Sequence, residues 1–202
     1  MRISTTPALR RITCLAALAA ALAVSGGPAR ALDAEFAAPL TALAQGALAE
    51  LAAEPVLVEA VMAQNATTAA YDQAEIDALD LQWRAEVDAA SRPLIEAVLA
   101  NAASRRLAEL AEASAGQFTE IFATDARGLN VAQSSITSDY WQGDEEKFTE
   151  TFPKGADAVF LSEVEEDEST QTFQSQVSLV IVDPATGAPI GTLTVGVDLA
   201  TL

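Results

Sequence analysis

The sequence changes character near Gly116, and this change constrains the fold more than any other feature. From residue 33 to about residue 115, Ala, Leu and Glu dominate, and these residues favour helices. Beyond Gly116, Thr, Val, Phe and Ile alternate with polar residues, as is typical of strands in an antiparallel sheet. The order of the two halves predicts an α+β fold, with long N-terminal helices packed on a roughly five-stranded antiparallel sheet.

The first 31 residues have the pattern of a secretory signal peptide. Three arginines near the N-terminus precede an apolar run at residues 12–26, and a small-x-small cleavage signal ends at Ala31. The run is shorter than the roughly 20 residues that span a bilayer, which argues against an uncleaved anchor. We expect cleavage near Ala31, export to the periplasm or outside the cell, and no membrane insertion of the mature chain.

The mature chain is expected to form one domain in two parts. Residues 32–116 would supply its helices and residues 117–202 its sheet. Pro55 and Pro93 suit the first turns of helices, a break is expected at residues 65–68, and the last helix should run from Pro93 to near Gly116.

Charge and residue usage exclude several classes of function. The chain has 11 basic and 29 acidic residues and no histidine, and its formal net charge is −18. Removing residues 1–31 removes four arginines and no acid, so nucleic acid and anionic lipid are poor partners for the mature chain. That chain also has no cysteine, so it lacks the nucleophile–histidine pairs of common hydrolases. We therefore expect a protein that is not an enzyme and that uses no cofactor.

The acidic run at residues 163–168 raises the question of a metal site. It lacks the Asp-x-Asp-x-Asp-Gly spacing of a calcium loop. A solvated hairpin tip that resists edge pairing is the better interpretation, and no metal site is expected.

The stretch SDYWQGDEEKF, residues 138–148, concentrates aromatic and charged side chains in an otherwise aliphatic chain. In one interpretation Tyr140 and Trp141 wall a small-molecule pocket, where rigid aromatic rings supply contact area and a polar group each. Asp139 would accept hydrogen bonds from a ligand amine, and Lys147 would meet a ligand carboxylate.

The alternative interpretation of this stretch is an ordinary surface turn. Gly143 would permit the turn, Asp144 would cap a short helix, and Phe148 and Phe152 would pack together at a spacing of four residues. The two interpretations apply to different residues and both stay open from the sequence alone.

Three segments in order resemble the extracytoplasmic single-Cache domains, also called PDC domains, which have a PAS-like fold. They are TDARGLNVA at residues 124–132, the Tyr-Trp pair shortly after the second strand, and VDPATGAPIGTLTVGV at residues 182–197. The resemblance covers residues 35–202. It implies a PAS-like sheet with a ligand pocket between the sheet and the loop and helix that follow the second strand.

The resemblance also implies a sensory function. The expected ligand is a small metabolite of the amino acid, amine or carboxylate class. Asp198 corresponds to a position where some amino-acid-binding Cache domains place an acid, and we count Phe173 and Ser175 on the preceding strand as further ligand-binding residues. Asp198 at a fraying strand end is an equally good interpretation.

The expected mode of signalling departs from that of most Cache domains, which continue into a transmembrane helix and a signalling module. Leu202 falls within or just after the last strand. We therefore expect a binding protein without its own transmitter, which signals through a membrane receptor or kinase. The alternative is a non-sensing envelope interaction or scaffold protein that uses the same fold.

Overall fold

The computed structural model describes residues 34–167 and 172–202; the expected signal peptide lies outside these residues. Seven α-helices are present in the described part: α1 (Ala34–Leu43), α2 (Ala49–Ala52), α3 (Pro55–Thr68), α4 (Gln73–Val87), α5 (Pro93–Leu99), α6 (Ala102–Ala113) and α7 (Glu146–Thr149). Six strands are described: β1 (Phe118–Asp125), β2 (Asn130–Gln133), β3 (Val159–Leu161), β4 (Glu165–Asp167), β5 (Thr172–Val182) and β6 (Pro189–Asp198).

The sheet is antiparallel, with the strand order β2-β1-β6-β5-β3, and the short β4 also pairs with β5. The α+β prediction is confirmed. The sheet has one strand more than expected, and this extra strand is the short β4. This strand forms where the acidic run was expected to be a hairpin tip: Glu165 and Glu166 are exposed, but their backbone pairs with β5.

The predicted break at residues 65–68 is wrong, because α3 continues through Thr68. The polar side chains expected to break this helix instead form hydrogen bonds with other parts of the fold. The amide of Asn65 donates to the carbonyl of Ile190 at 2.7 Å and accepts from the backbone N–H of Ala126 at 2.9 Å. The break comes later, before Asp72, whose side chain caps α4 by accepting from the backbone N–H of Glu75.

The segment expected to be one helix from Pro93 is divided into α5 and α6 at Asn101. The Asn101 side chain accepts from the backbone N–H of Ser104 at 2.7 Å and donates to the carbonyl of Val131 at 2.8 Å. This N-cap starts α6 and fixes it to β2.

One face of the sheet meets the helices and holds the main apolar core. We call it the helix-facing side. Its strands contribute buried aliphatic residues that pack against α1, α2, α3 and α6: Ile121, Ala123, Val177, Leu179, Ile181, Leu193, Val195 and Val197. These residues share one face because successive side chains along a strand point to opposite faces.

The other face, the loop-facing side, is buried but polar. The hydroxyls of Thr124 and Thr192 lie 2.7 Å apart, and those of Ser178 and Thr194 lie 2.9 Å apart; all four residues are at most 1% exposed. Helix α7 contacts β3 and β5 on this side, and the turn at residues 152–154 contacts β6.

Within residues 34–167 and 172–202, no helix has the length and apolar character needed to cross a membrane.

Candidate functional site

The Tyr-Trp pair lies in a loop that is held by its backbone. One carboxylate oxygen of Asp80 accepts the N–H groups of Tyr140 and Trp141, at 2.8 and 3.0 Å. The backbone N–H of Asn130 donates to the Tyr140 carbonyl at 2.9 Å. The loop is thereby joined to α4 on one side and to β2 on the other.

Charged side chains reinforce the same junction. The other carboxylate oxygen of Asp80 pairs with Arg84 at 2.7 Å, and the Arg84 guanidinium reaches Asp139 at 3.2 Å. Asp139 also accepts from the Gln142 amide at 2.7 Å. Asp139, which the sequence suggested as a ligand acceptor, therefore has protein partners at both of its oxygens.

Tyr140 is 6% exposed, and its ring stacks on Trp83 with a centroid distance of 5.2 Å and an interplanar angle of 19°. Burial raises the pKa of its hydroxyl well above the ordinary value, and the neighbouring Asp125 and Tyr71 act in the same direction, against a hydrogen bond with Gln64. The hydroxyl therefore stays protonated and neutral at physiological pH.

Tyr140 borders a cavity of about 450 Å³ between α3, α4, α5 and β2. We call this cavity the Tyr140 cleft. Its apolar lining comes from Ala60, Ala63, Leu79, Leu94 and Val131. Its polar lining comes from Gln64, Thr67, Thr68, Tyr71, Asn101 and Tyr140. A largely apolar surface with a few polar groups that converge on it is typical of small-molecule sites, which measure roughly 300–1,000 Å³.

The floor of the Tyr140 cleft is built on the buried carboxylate of Asp125, which is fully hydrogen-bonded. One oxygen accepts the Gln64 amide at 3.1 Å and the Thr68 hydroxyl at 2.8 Å. The other accepts the backbone N–H groups of Arg127 and Leu129, at 2.8 and 3.0 Å. In the sequence Asp125 stands out only as part of the TDARGLNVA segment, because its contacts with Gln64 and Thr68, 61 and 57 residues away, leave no local signal.

A second cavity, of about 410 Å³, lies between the α7 segment and the β3–β5 edge of the sheet. We call it the Lys147 cleft. The Lys147 ammonium pairs with Glu145 at 2.9 Å and lies 5.4 Å from the centre of the Phe122 ring. The remaining charged lining is acidic: Asp144, Glu146, Glu163 and Glu165. This cleft occupies the place, between sheet and loop, where the resemblance led us to expect the ligand pocket.

The other predicted site residues lie elsewhere. The indole N–H of Trp141 donates to the Arg127 carbonyl at 2.8 Å, and the ring packs on Gly143. Phe173 is 51% exposed, Ser175 is buried and donates to the Ser162 carbonyl, and Asp198 caps the final turn.

The seven predicted residues therefore do not share one cavity: Tyr140 lines the first cleft and Lys147 the second. Strand alternation fixed the face on which Phe173 and Ser175 lie, but this is the helix-facing side. The two aromatic neighbours also differ in role, since Tyr140 lines a cavity and Trp141 is not in the lining of either cleft.

The local structure expected after Gly143 is partly right. The rings of Phe148 and Phe152 stack with a centroid distance of 5.2 Å, which confirms their packing. The prediction that Asp144 caps the helix is wrong, because the N-cap position of α7 is Glu145 and no side-chain capping bond forms there.

No protein-family model and no functionally curated protein matches the chain. Solved structures do match. They include the sensor domain of the V. cholerae histidine kinase DctB (14% identity, TM-score 0.41, 82% of this chain) and the ligand-binding domain of the Campylobacter jejuni chemoreceptor Tlp3 in complex with 4-methylisoleucine (13%, 0.38, 82%). Each of these two domains is similar in fold to this chain.

The chain spans 55% of the DctB structure and 61% of the Tlp3 structure. At these identities and TM-scores the likeness concerns the fold alone.

Proposed function

We propose that this chain is an extracytoplasmic sensory domain that binds a small organic molecule in the Tyr140 cleft. The observation that carries the proposal is the cavity of about 450 Å³ bordered by Tyr140, one of the two aromatic residues that the sequence pattern indicates as pocket walls. The Cache-like order of the sequence segments supports the sensory part of the proposal, and the leader-like first 31 residues support export.

Ligand binding in the cleft can change the conformation of the protein because the walls of the cleft belong to separate helices and loops. Gln64 and Thr68 come from α3, Leu79 from α4 and Leu94 from α5, while Tyr140 lies on the loop after β2. A ligand that contacts several of these elements favours the arrangement in which they are close, and such differential affinity is what shifts a conformational equilibrium. We propose that a membrane receptor or kinase reads this shift.

Ligand binding is tested by thermal-shift measurements on the purified protein with a panel of amino acids, amines and carboxylates. Any ligand that binds the native state raises the melting temperature in a concentration-dependent way. The position of the site is tested by Ala63→Trp, which places an indole on the wall of the cleft. Ala66→Trp is the matched control, because Ala66 is also exposed on α3 but does not line the cleft.

The proposal predicts that Ala63→Trp abolishes the ligand-induced shift and that Ala66→Trp retains it. If no compound in the panel stabilises the protein, or if Ala63→Trp binds as the wild type does, the proposal fails. The scaffold alternative would then be favoured, and it predicts a protein partner that co-purifies with the chain.

A further inference from the structure

We infer that the Tyr140 cleft selects ligands that carry an ammonium group and lack a carboxylate. This inference rests on the proposed function, which leaves amino acids, amines and carboxylates open. It follows from the charges around the cleft, from the hydrogen-bond donors that the protein itself consumes, and from the aromatic lining.

The charges around the Tyr140 cleft favour a cationic ligand. None of the described residues that line the cleft is a Lys or Arg. Asp125 lies directly behind the floor, and its carboxylate is buried and held by four hydrogen bonds. The carboxyl end of α3 also lies at the cleft, and the partial negative charge of a helix C-terminus favours cations. An anionic ligand would be repelled by both.

The cation Arg127 lies near the end of α3 but is not among the residues that line the cleft. The guanidinium of Arg127 donates to the carbonyl of Ala69, just beyond the end of α3, and this contact is exposed to solvent. It neutralises part of the helix end without placing a positive charge among the residues of the cleft.

The hydrogen-bond donors of the lining are the second argument. The Gln64 amide N–H groups point to Asp125 and to the carbonyls of Leu129 and Asn130, at 3.1–3.3 Å. Reversing this amide would place its oxygen against three acceptors, so its orientation is fixed. Apart from the hydrogen bond with the Tyr140 hydroxyl, no group within residues 34–167 and 172–202 bonds to this side chain as a donor, so its oxygen is left as an acceptor.

The other polar side chains of the lining also direct hydrogen-bond donors to the protein. The Thr67 and Thr68 hydroxyls donate to the protein, Thr68 to Asp125 at 2.8 Å, and the Asn101 amide donates to the Val131 carbonyl at 2.8 Å. Tyr71 and Tyr140 are the exceptions, since a phenol hydroxyl can donate or accept. The cleft therefore offers more acceptors than donors, which suits an ammonium group and leaves a carboxylate poorly satisfied.

The aromatic rings are the third argument. Tyr71 and Tyr140 both border the cleft, and the face of an aromatic ring attracts a cation within about 6 Å of its centre. One face of Tyr140 is covered by Trp83, so Tyr71 is the better candidate for contact with an ammonium group, whereas a carboxylate gains nothing from a ring face.

Four probes with the same phenyl ring separate these charge classes: phenethylamine, phenylalanine, hydrocinnamate and phenethyl alcohol. Dissociation constants for each are measured by isothermal titration calorimetry at neutral pH. We expect phenethylamine to bind at least about tenfold more tightly than each of the other three. Equal or tighter binding of phenylalanine, hydrocinnamate or phenethyl alcohol overturns the inference and leaves the proposed function standing. Absence of binding by all four, and by the wider panel, overturns both.

A charge introduced at the rim gives an independent test. Thr67→Lys places a cation at the cleft on an exposed helical position, and Met62→Lys makes a matched change on α3 outside the lining. We expect Thr67→Lys to weaken phenethylamine binding by about fivefold or more, and Met62→Lys to change it by less than about twofold. Equal effects of the two variants would show that only net charge matters and would overturn the inference.

Discussion

The carboxylate of Asp80 holds the backbone of Tyr140, whose N–H donates to it at 2.8 Å. The same oxygen accepts the N–H of Trp141, so one side chain of α4 satisfies two consecutive amides of the loop that borders the cleft. Loss of this acceptor leaves both amides without their partner, and a buried unsatisfied group costs more than a hydrogen bond gains.

Asp80→Ala is therefore expected to lower the free energy of unfolding by about 1–3 kcal/mol, as measured by urea denaturation at neutral pH. Asp77→Ala is the control, because Asp77 is exposed on the same helix and, among the side chains that the structure describes, accepts from Gln73 alone. A similar loss of unfolding free energy in both variants would mean that removing any acidic side chain from α4 destabilises the protein. The hydrogen bonds from Asp80 to the loop would then contribute little.

Tyr140→Phe separates the two properties of this residue. The variant keeps the ring that stacks on Trp83, so the free energy of unfolding should change by no more than about 1 kcal/mol. It removes the hydroxyl that borders the cleft, and we expect phenethylamine binding to weaken by about three- to tenfold. Unchanged binding, measured by calorimetry, would place the ligand away from this hydroxyl.

Gly128 permits the close approach of the β1–β2 turn to the Tyr-Trp loop. It has a φ of +80°, and a Cβ there would collide with the backbone of Gly143. Gly128→Ala should destabilise the protein by more than about 2 kcal/mol, whereas Gly187→Ala, with a φ of +72° and open space around it, should cost only about 1 kcal/mol. If thermal denaturation showed the same loss of stability in both variants, the close packing of Gly128 against Gly143 would be contradicted.

Part of the stability is expected to depend on pH through Glu54. Both of its oxygens accept from Arg106, at 2.7 and 2.8 Å, and these bonds lower the pKa of Glu54 below its ordinary value of 4.5. A lowered folded-state pKa means that the stabilisation is complete at neutral pH and disappears as the pH falls through that pKa.

Glu54→Gln should therefore destabilise the protein by about 0.5–1 kcal/mol at pH 7, and the difference from the wild type should shrink towards pH 3. The exposed Glu50 provides the control variant Glu50→Gln. The measurement is urea denaturation across this pH range. A difference that grows on acidification would contradict the assigned direction of the pKa change.

The hydroxyl pair of Ser178 and Thr194 on the loop-facing side of the sheet is suited to a double-mutant cycle. Thr194→Val removes one hydroxyl of a buried pair and leaves Ser178 without its partner, at a cost of about 1–3 kcal/mol. Adding Ser178→Ala removes the unsatisfied group, so the double variant should lose less than the sum of the two single losses. Strict additivity in urea denaturation would argue against the hydrogen bond.

The sequence was sufficient for the features that follow from local pattern. Alternation predicted the strands of the second half, and the aromatic content of the Tyr-Trp pair pointed to Tyr140. Prediction from the sequence failed where contacts between residues far apart in the chain determine the local structure. Asn65 looked like a helix breaker, but its amide bonds to Ile190 and Ala126, which are far away in the chain.

The candidate site shows the same division between local and distant effects. Gln64 and Thr68 gave no signal of their own, because their importance comes from contact with Asp125 across the fold. The exposure of Phe173 could not be predicted either, since a strand position fixes the face of a side chain but does not show how far the covering helices extend.

The central claim is that the Tyr140 cleft is the ligand site, and its most direct test is a backbone NMR titration with phenethylamine. We predict that the largest amide shifts cluster at Gln64, Thr68, Tyr71 and Tyr140 and saturate with one dissociation constant. Shifts that cluster instead at Lys147 and the acidic residues around it, or that never saturate, would contradict the account.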